Sequence, residues 1–241
     1  PLGRIQRKEI IMMNEHDNSP ENPESTRADN VSRRSVVTAG AGLAIGATVP
    51  ALMSGTGARA QEVTNGRPRT LIIASHPYPD RSVVNKALWE PAQAAEDTMF
   101  KNLESVYGDN LQGFDRTAER RIYRDMERLV LMFPIHWFNM TPMMKAYMNE
   151  VWGSGAPSEL RGKELLVVTT TAGGADAYRP EGRLGFTIEE VLTPLQASAN
   201  YTGMNFSEPL AFLGAAGAGA DALRQYQDTL AARLREAPRK T

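Results

Sequence analysis

Apolar and polar positions along residues 61–241 follow two rhythms. Thr70-Leu71-Ile72-Ile73-Ala74 is a short β-branched run that stops at Ser75-His76-Pro77, the pattern of a buried strand. Leu129-Val130-Leu131-Met132-Phe133-Pro134 is apolar on both faces, as a strand covered by helices on each side is, and it predicts the central strand. Residues 164–171, built on Leu165-Leu166-Val167-Val168, predict another, residues 205–213 the last and residues 102–107 a weaker one. Helical rhythms lie between them. Ser82 caps a helix over 83–96, which Pro91 should kink or restart. Residues 119–127 read as a charged helix. Thr141-Pro142 opens a helix whose buried face is Met143, Met144, Tyr147, Met148, Val151 and Trp152. Thr187 and Glu190 form a capping-box pair for a helix to residue 199, with a kink expected at Pro194. Residues 221–236 make an amphipathic helix with Leu223, Tyr226, Leu230 and Leu234 inward.

Strands that alternate with helices imply a parallel sheet with right-handed crossovers. Five strands in a domain of this size predict a flavodoxin-like α/β three-layer sandwich, a five-stranded parallel sheet of order 2-1-3-4-5. Ligands in such a sheet sit at the carboxyl ends of the strands, where the winding direction reverses. The loops after the first, third and fourth strands are then the expected site.

Those loops carry the most unusual clusters of the domain. The first, 76–85, runs from His76 to a helix N-terminus, where free N–H groups and the positive dipole end favour a phosphate. Ser82, Asn85 and His76 add side-chain donors. It is no Walker loop, having no G-K-[ST], and plain capping by Ser82 is the alternative. The second, 134–142, presents the adjacent aromatics Trp137 and Phe138, which suit the face of a planar ring or a partner subunit. The third, Thr170-Thr171-Ala172-Gly173-Gly174 onward to Tyr178, has small residues that let backbone N–H groups approach a flat ligand. Donors aimed at one edge of a flavin stabilise the charge that builds on reduction; a merely flexible loop is the alternative.

The first sixty residues read differently. Residues 1–31 are mostly polar and read as disordered, and Met12 or Met13 is a candidate start. Residues 32–60 read as a twin-arginine export signal: Ser32-Arg33-Arg34-Ser35-Val36-Val37, then a Gly- and Ala-rich run over 36–53, then Ala58-Arg59-Ala60 with cleavage expected before Gln61. A retained membrane anchor and a tail of no consequence are the alternatives. The glycines of 40–46 mimic a dinucleotide loop, but no apolar strand precedes them. Residues 61–241 are the flavodoxin-like domain, with no integral span expected in it.

Composition narrows the chemistry. The formal net charge is −1 and no basic stripe with interleaved aromatics occurs, so nucleic acid is not an expected partner. There is no cysteine, which excludes thiolate catalysis, iron–sulfur clusters and Cys-bound zinc. Of three histidines only His76 and His136 lie in the domain, and no metal site is expected.

At this point the residues carry a resemblance. The stretch from Leu71 to Pro79 with Ser82 and Asn85, Phe133 to Phe138 with Pro142 and Lys145, Gly162 to Thr171, and Pro194-Leu195-Gln196 together resemble the flavodoxin-like NAD(P)H:quinone oxidoreductases. Within that family the chain is most similar to the ancillary flavoproteins of glutathione-gated potassium efflux systems. The resemblance implies phosphate-end flavin contacts from His76, Ser82, Val83, Val84 and Asn85. It implies ring contacts from Ile135, His136, Trp137 and Phe138 and from Thr170, Thr171, Ala172 and Gly173. Tyr178 resembles a catalytic tyrosine that helps polarise the flavin. Two departures stand out: Arg183 and Leu184 lie where a histidine is usual, and Ala172 replaces a glycine. The implied cofactor is FMN, with FAD left open. The implied donor is NAD(P)H, the acceptor a quinone or other small oxidant, and the assembly a homodimer. A flavin-loaded regulatory or electron-transfer module for a membrane partner is the alternative. The expected location is periplasmic, or cytoplasmic if the signal is inefficient; free NAD(P)H is scarce outside the cytoplasm.

Overall fold

The computed structural model describes residues 69–153 and 155–239. The export signal, its arginines, the glycine run at 40–46 and the boundary at Gln61 lie outside the described residues. Within them, five parallel pairings build one sheet. Strands β1 (Thr70–Ala74), β2 (Thr98–Asn102), β3 (Arg128–Pro134), β4 (Glu164–Thr170) and β5 (Asn205–Phe206) run in the order β2-β1-β3-β4-β5, and β6 (Leu210–Phe212) also pairs with β4. This is the expected flavodoxin-like order with one strand more.

Side chains alternate between two cores, as the period of a strand requires. Leu71, Ile73, Leu129, Leu131, Leu165 and Val167 feed one face. It is covered by helices α3 (Arg116–Tyr123), α4 (Pro142–Tyr147, continued by a π turn over Met148–Trp152) and α6 (Thr193–Thr202). All six residues expected on the buried face of α4 and its continuation are buried. Ile72, Ala74, Val130, Met132, Leu166 and Val168 feed the other face, under α1 (Val83–Ala94) and α7 (Ala220–Arg235). On α7, Leu230 and Leu234 are buried, while Leu223 and Tyr226 are partly so.

Three expectations are corrected. The second strand ends rather than begins at Asn102, whose side-chain oxygen accepts the Ser105 N–H at 2.7 Å and so starts helix α2 (Leu103–Tyr107). Helix α3 begins earlier than expected because Asp115 caps it, accepting the Ala118 N–H, and it stops at Tyr123 before Glu127. The last strand is split, with Ser207, Glu208 and Pro209 between its halves. Pro209 brings no N–H to a ladder.

The expected break near Pro194 falls at Leu192, between α5 (Ile188–Val191) and α6, and Thr187 and Glu190 form the capping box. Pro91, by contrast, sits inside α1 without ending it. It can give no N–H to the Ala87 carbonyl one turn back. Gln227 of α7 supplies the missing donor, its Nε2 reaching the Ala87 oxygen at 2.9 Å.

The amino ends of the strands are closed by a buried ion pair. Arg128 and Glu164 are both 0% exposed, with Arg128 Nε donating to Glu164 Oε2 at 2.7 Å. Arg128 also donates to the carbonyls of Leu234 and Glu236, while Glu164 accepts from Ser207, Arg233 and the Arg239 N–H. The segment following α7 is thereby tied under the sheet.

Candidate functional site

The loops after β1, β3 and β4 meet at the carboxyl end of the sheet, each fixed by what its own strand and helix demand. In the first loop, Ser82 caps α1: its Oγ accepts the Asn85 N–H at 3.2 Å and the Asn85 amide Nδ2 at 3.1 Å. Asn85 and Val84 are buried and Val83 is exposed. Asn85 Nδ2 also donates to Thr170 Oγ1 at 3.2 Å, joining the first loop to the third. His76 is buried, and its Nδ1 accepts the Tyr78 N–H at 3.0 Å, so the neutral ring carries its proton on Nε2. Its ring meets that of His136, from the second loop, edge-on at 6.1 Å. Burial, and then the neighbouring His136, hold the His76 pKa below the ordinary 6.5, which favours the neutral ring at pH 7.

The second loop is a tight turn. His136 and Asn139 exchange both backbone hydrogen bonds, at 2.9 and 3.1 Å. The two central residues, Trp137 and Phe138, have φ of 48° and 61°. Positive φ at both centres is the signature of a type I′ turn, which strongly prefers Asn-Gly. Two aromatics there cost about 1–2 kcal/mol each. Packing does not explain them, since Trp137 is 94% exposed. Backbone strain of this kind collects at functional sites. Ile135 packs half-buried beneath the turn, and its N–H donates to the Thr170 carbonyl at 2.9 Å, tying the second loop to the third.

The third loop turns its carbonyls inward and leaves N–H groups open. The Thr171 and Gly173 carbonyls accept the N–H groups of Ala215 and Gly214, and the Gly173 carbonyl also accepts the Thr171 hydroxyl at 2.6 Å. Gly174 and Ala175 carbonyls accept from Ala177 and Tyr178. Among the described residues, the amide N–H groups of Ala172, Gly173 and Gly174 donate to nothing, and neither do those of Val83 and Val84 at the start of α1. Successive open N–H groups make an anion-binding concavity. Ala172 does not have positive φ, so alanine in place of glycine costs the backbone nothing there.

Tyr178 is only 9% exposed; its ring lies under Gly173 and joins the core rather than standing out of it. Burial pushes its phenol above the usual 10, and the bond with Thr171 draws it partly back, so it stays a donor at neutral pH. Thus the three loops bring together every candidate residue except that Tyr178 sits one layer down, beneath the third loop.

Two supports escaped sequence reasoning. A Cβ at Gly182 would meet the carbonyl oxygens of Asp176 and Ala177 at 2.4 and 2.8 Å, so only glycine lets the chain return under the third loop. Gly214, at φ 78°, approaches Gly174 closely while its N–H holds the Gly173 carbonyl. An isolated glycine is a weak signal, and only the fold shows what it faces. Among the described residues no group of three or more His, Asp or Glu side chains is arranged to hold a metal ion. No described helix is long and apolar enough to cross a membrane.

Residues 68–234 match the family model described as flavodoxin-like fold. The chain belongs to this flavodoxin-like family. General stress protein 14 of Bacillus subtilis is 30% identical over 168 residues, which cover 68% of this chain and 95% of that protein. The uncharacterized NAD(P)H oxidoreductase YrkL of the same species is 31% identical over 144 residues, covering 57% and 81%. The crystal structure of general stress protein 14 from Treponema denticola, in complex with FMN, superposes with a TM-score of 0.60. It is 27% identical and the match covers 69% of this chain and all of that one. In this flavodoxin-like chain, the aromatic turn and both sets of open N–H groups lie on loops at the one end of the sheet.

Proposed function

We propose that this protein is an FMN-dependent NAD(P)H oxidoreductase that passes two electrons to a quinone-like acceptor. The observation that carries the reading is the strained Trp137–Phe138 turn, exposed beside two sets of unclaimed backbone N–H groups. A flat ring with an electron-rich edge and a phosphate tail is the ligand such a constellation fits. The names of two relatives support it, one an NAD(P)H oxidoreductase and one a complex with FMN.

FMN held there would supply the two-electron chemistry between NAD(P)H and the acceptor. The chain's own residues hold and tune. The N–H groups of Val83 and Val84, the Ser82 and Asn85 side chains and His76 Nε2 would take the phosphate end. Ile135, His136, Trp137 and Phe138 would flank the ring. Thr170, Thr171, Ala172 and Gly173 would face its polar edge, where open N–H groups stabilise negative charge without reorganising. Tyr178, kept protonated, would support that edge from below. The family resemblance implies a homodimer that completes each site, and the Arg33-Arg34 pattern with the apolar run after it supports export by the twin-arginine route.

The test is stopped-flow absorbance of the purified holoprotein. Bleaching of the band at about 450 nm by NAD(P)H, and its return with a quinone, are expected. A flavin that stays oxidised under NAD(P)H would sink the enzyme reading and leave the flavin-loaded module.

A further inference from the structure

We propose that Glu104 is a positioning residue for the flavin site, an inference that rests on the function proposed above. Glu104 lies on α2, outside the three loops. Its Oε1 accepts the hydroxyl proton of Ser75 at 2.6 Å, and Ser75 is the residue directly before His76. The Ser75 hydroxyl also contacts the hydroxyl of Thr141, the cap of α4 just beyond the aromatic turn. Thr141 Oγ1 accepts the Met144 N–H at 3.3 Å. Ser75 has one hydroxyl proton and gives it to Glu104, so Thr141 is the donor between the two hydroxyls. The chain has one direction, Thr141 to Ser75 to Glu104.

Ser75 and Thr141 are both buried, so water does not compete for these bonds. One carboxylate on α2 thus fixes the side chain that precedes His76 and the cap that anchors the turn carrying Trp137 and Phe138. Its second oxygen, Oε2, is buried and has no hydrogen-bond partner among the described residues. A buried acceptor left open costs the fold free energy. A glutamine would keep the Ser75 bond without a carboxylate, and an alanine would remove the cost along with the bond. Retention of such a cost is expected where a residue serves the site rather than the core.

The experiment compares FMN release from the holoprotein of Glu104→Ala, Glu104→Gln, Ser75→Ala and the Ser75→Ala/Glu104→Ala double variant. Flavin fluorescence on dilution gives the dissociation constant, and melting temperatures are taken in parallel. Glu104→Ala and Ser75→Ala should each raise Kd about tenfold, the worth of one buried hydrogen bond. Glu104→Gln should stay within about threefold of wild type, because it still offers an oxygen to Ser75. The double variant should be no weaker than either single one, since both break one chain. A Glu104→Ala protein that melts lower but keeps the wild-type Kd would overturn the proposal, as would additive losses. Should Glu104→Ala fail to fold, Ser75→Ala and Glu104→Gln carry the same comparison. A wild-type protein that carries no FMN overturns the proposed function itself, and that result is read before any variant.

Discussion

Asn85 and Thr170, 85 residues apart in sequence, meet side chain to side chain at 3.2 Å at the carboxyl end of the sheet. The same Asn85 amide nitrogen reaches Ser82 Oγ, so one buried side chain braces both the helix cap and the end of β4. The first and third loops are held at one spacing by this contact.

Replacing Asn85 by alanine removes both side-chain bonds but leaves its backbone N–H on Ser82. We expect a loss of about 1–2 kcal/mol in stability. FMN Kd should rise by about tenfold or more, because the two loops lose their fixed separation. Thermal melts and flavin titration check the two effects separately.

The Trp137–Phe138 turn should trade stability for binding. Trp137→Asn with Phe138→Gly installs the residues that a type I′ turn prefers and should raise the melting temperature by about 4 °C or more. The same variant, and Trp137→Ala alone, should retain less flavin after gel filtration. A fully loaded Trp137→Ala protein would assign the tryptophan to a subunit contact instead.

Acid should loosen the clamp under the sheet. Burial alone would raise the Glu164 pKa, but the hydrogen bonds from Ser207, Arg128 and the Arg239 N–H outweigh it, taking the group from 4.5 to about 2. The folded value lies below the unfolded one. The contribution, about 3 kcal/mol, is therefore complete above pH 4.5 and is lost as pH falls toward 2. Urea unfolding from pH 6 to pH 2.5 should show this slope. Glu164→Gln should lack it and cost about 3–5 kcal/mol at pH 7, since Arg128 stays buried without its counter-charge.

Export is tested by replacing Arg33 and Arg34 with lysine. The protein should then remain in the cytoplasmic fraction, with its flavin content unchanged; unaltered export would remove the twin-arginine reading.

Much of this fold is legible because its strands are buried on both faces. Leu129 to Pro134 and Leu165 to Val168 have no polar side to blur the signal, and Thr187 with Glu190 names its own helix start. The edge strand is not legible. Thr98 to Asn102 is half-covered, its Met99 is exposed, and its sequence carries neither rhythm strongly. Pro91 looks like a breaker because the donor that replaces its N–H sits on α7, far along the chain. In the site, the three loops stand out by composition, but the positive φ of Trp137 and Phe138 runs against their residue types. Glu104 and Gly182 act only through what the fold sets opposite them.

The pair under the sheet also has a history in time. Arg128 and Glu164 are made early, while Arg233, Leu234, Glu236 and Arg239, which complete their hydrogen bonds, leave the ribosome after every strand has been made. A chain released before residue 233 would hold both charges between its strands with only Ser207 left of their five other partners. The buried pair is therefore fully satisfied only when the chain through Arg239 is in place.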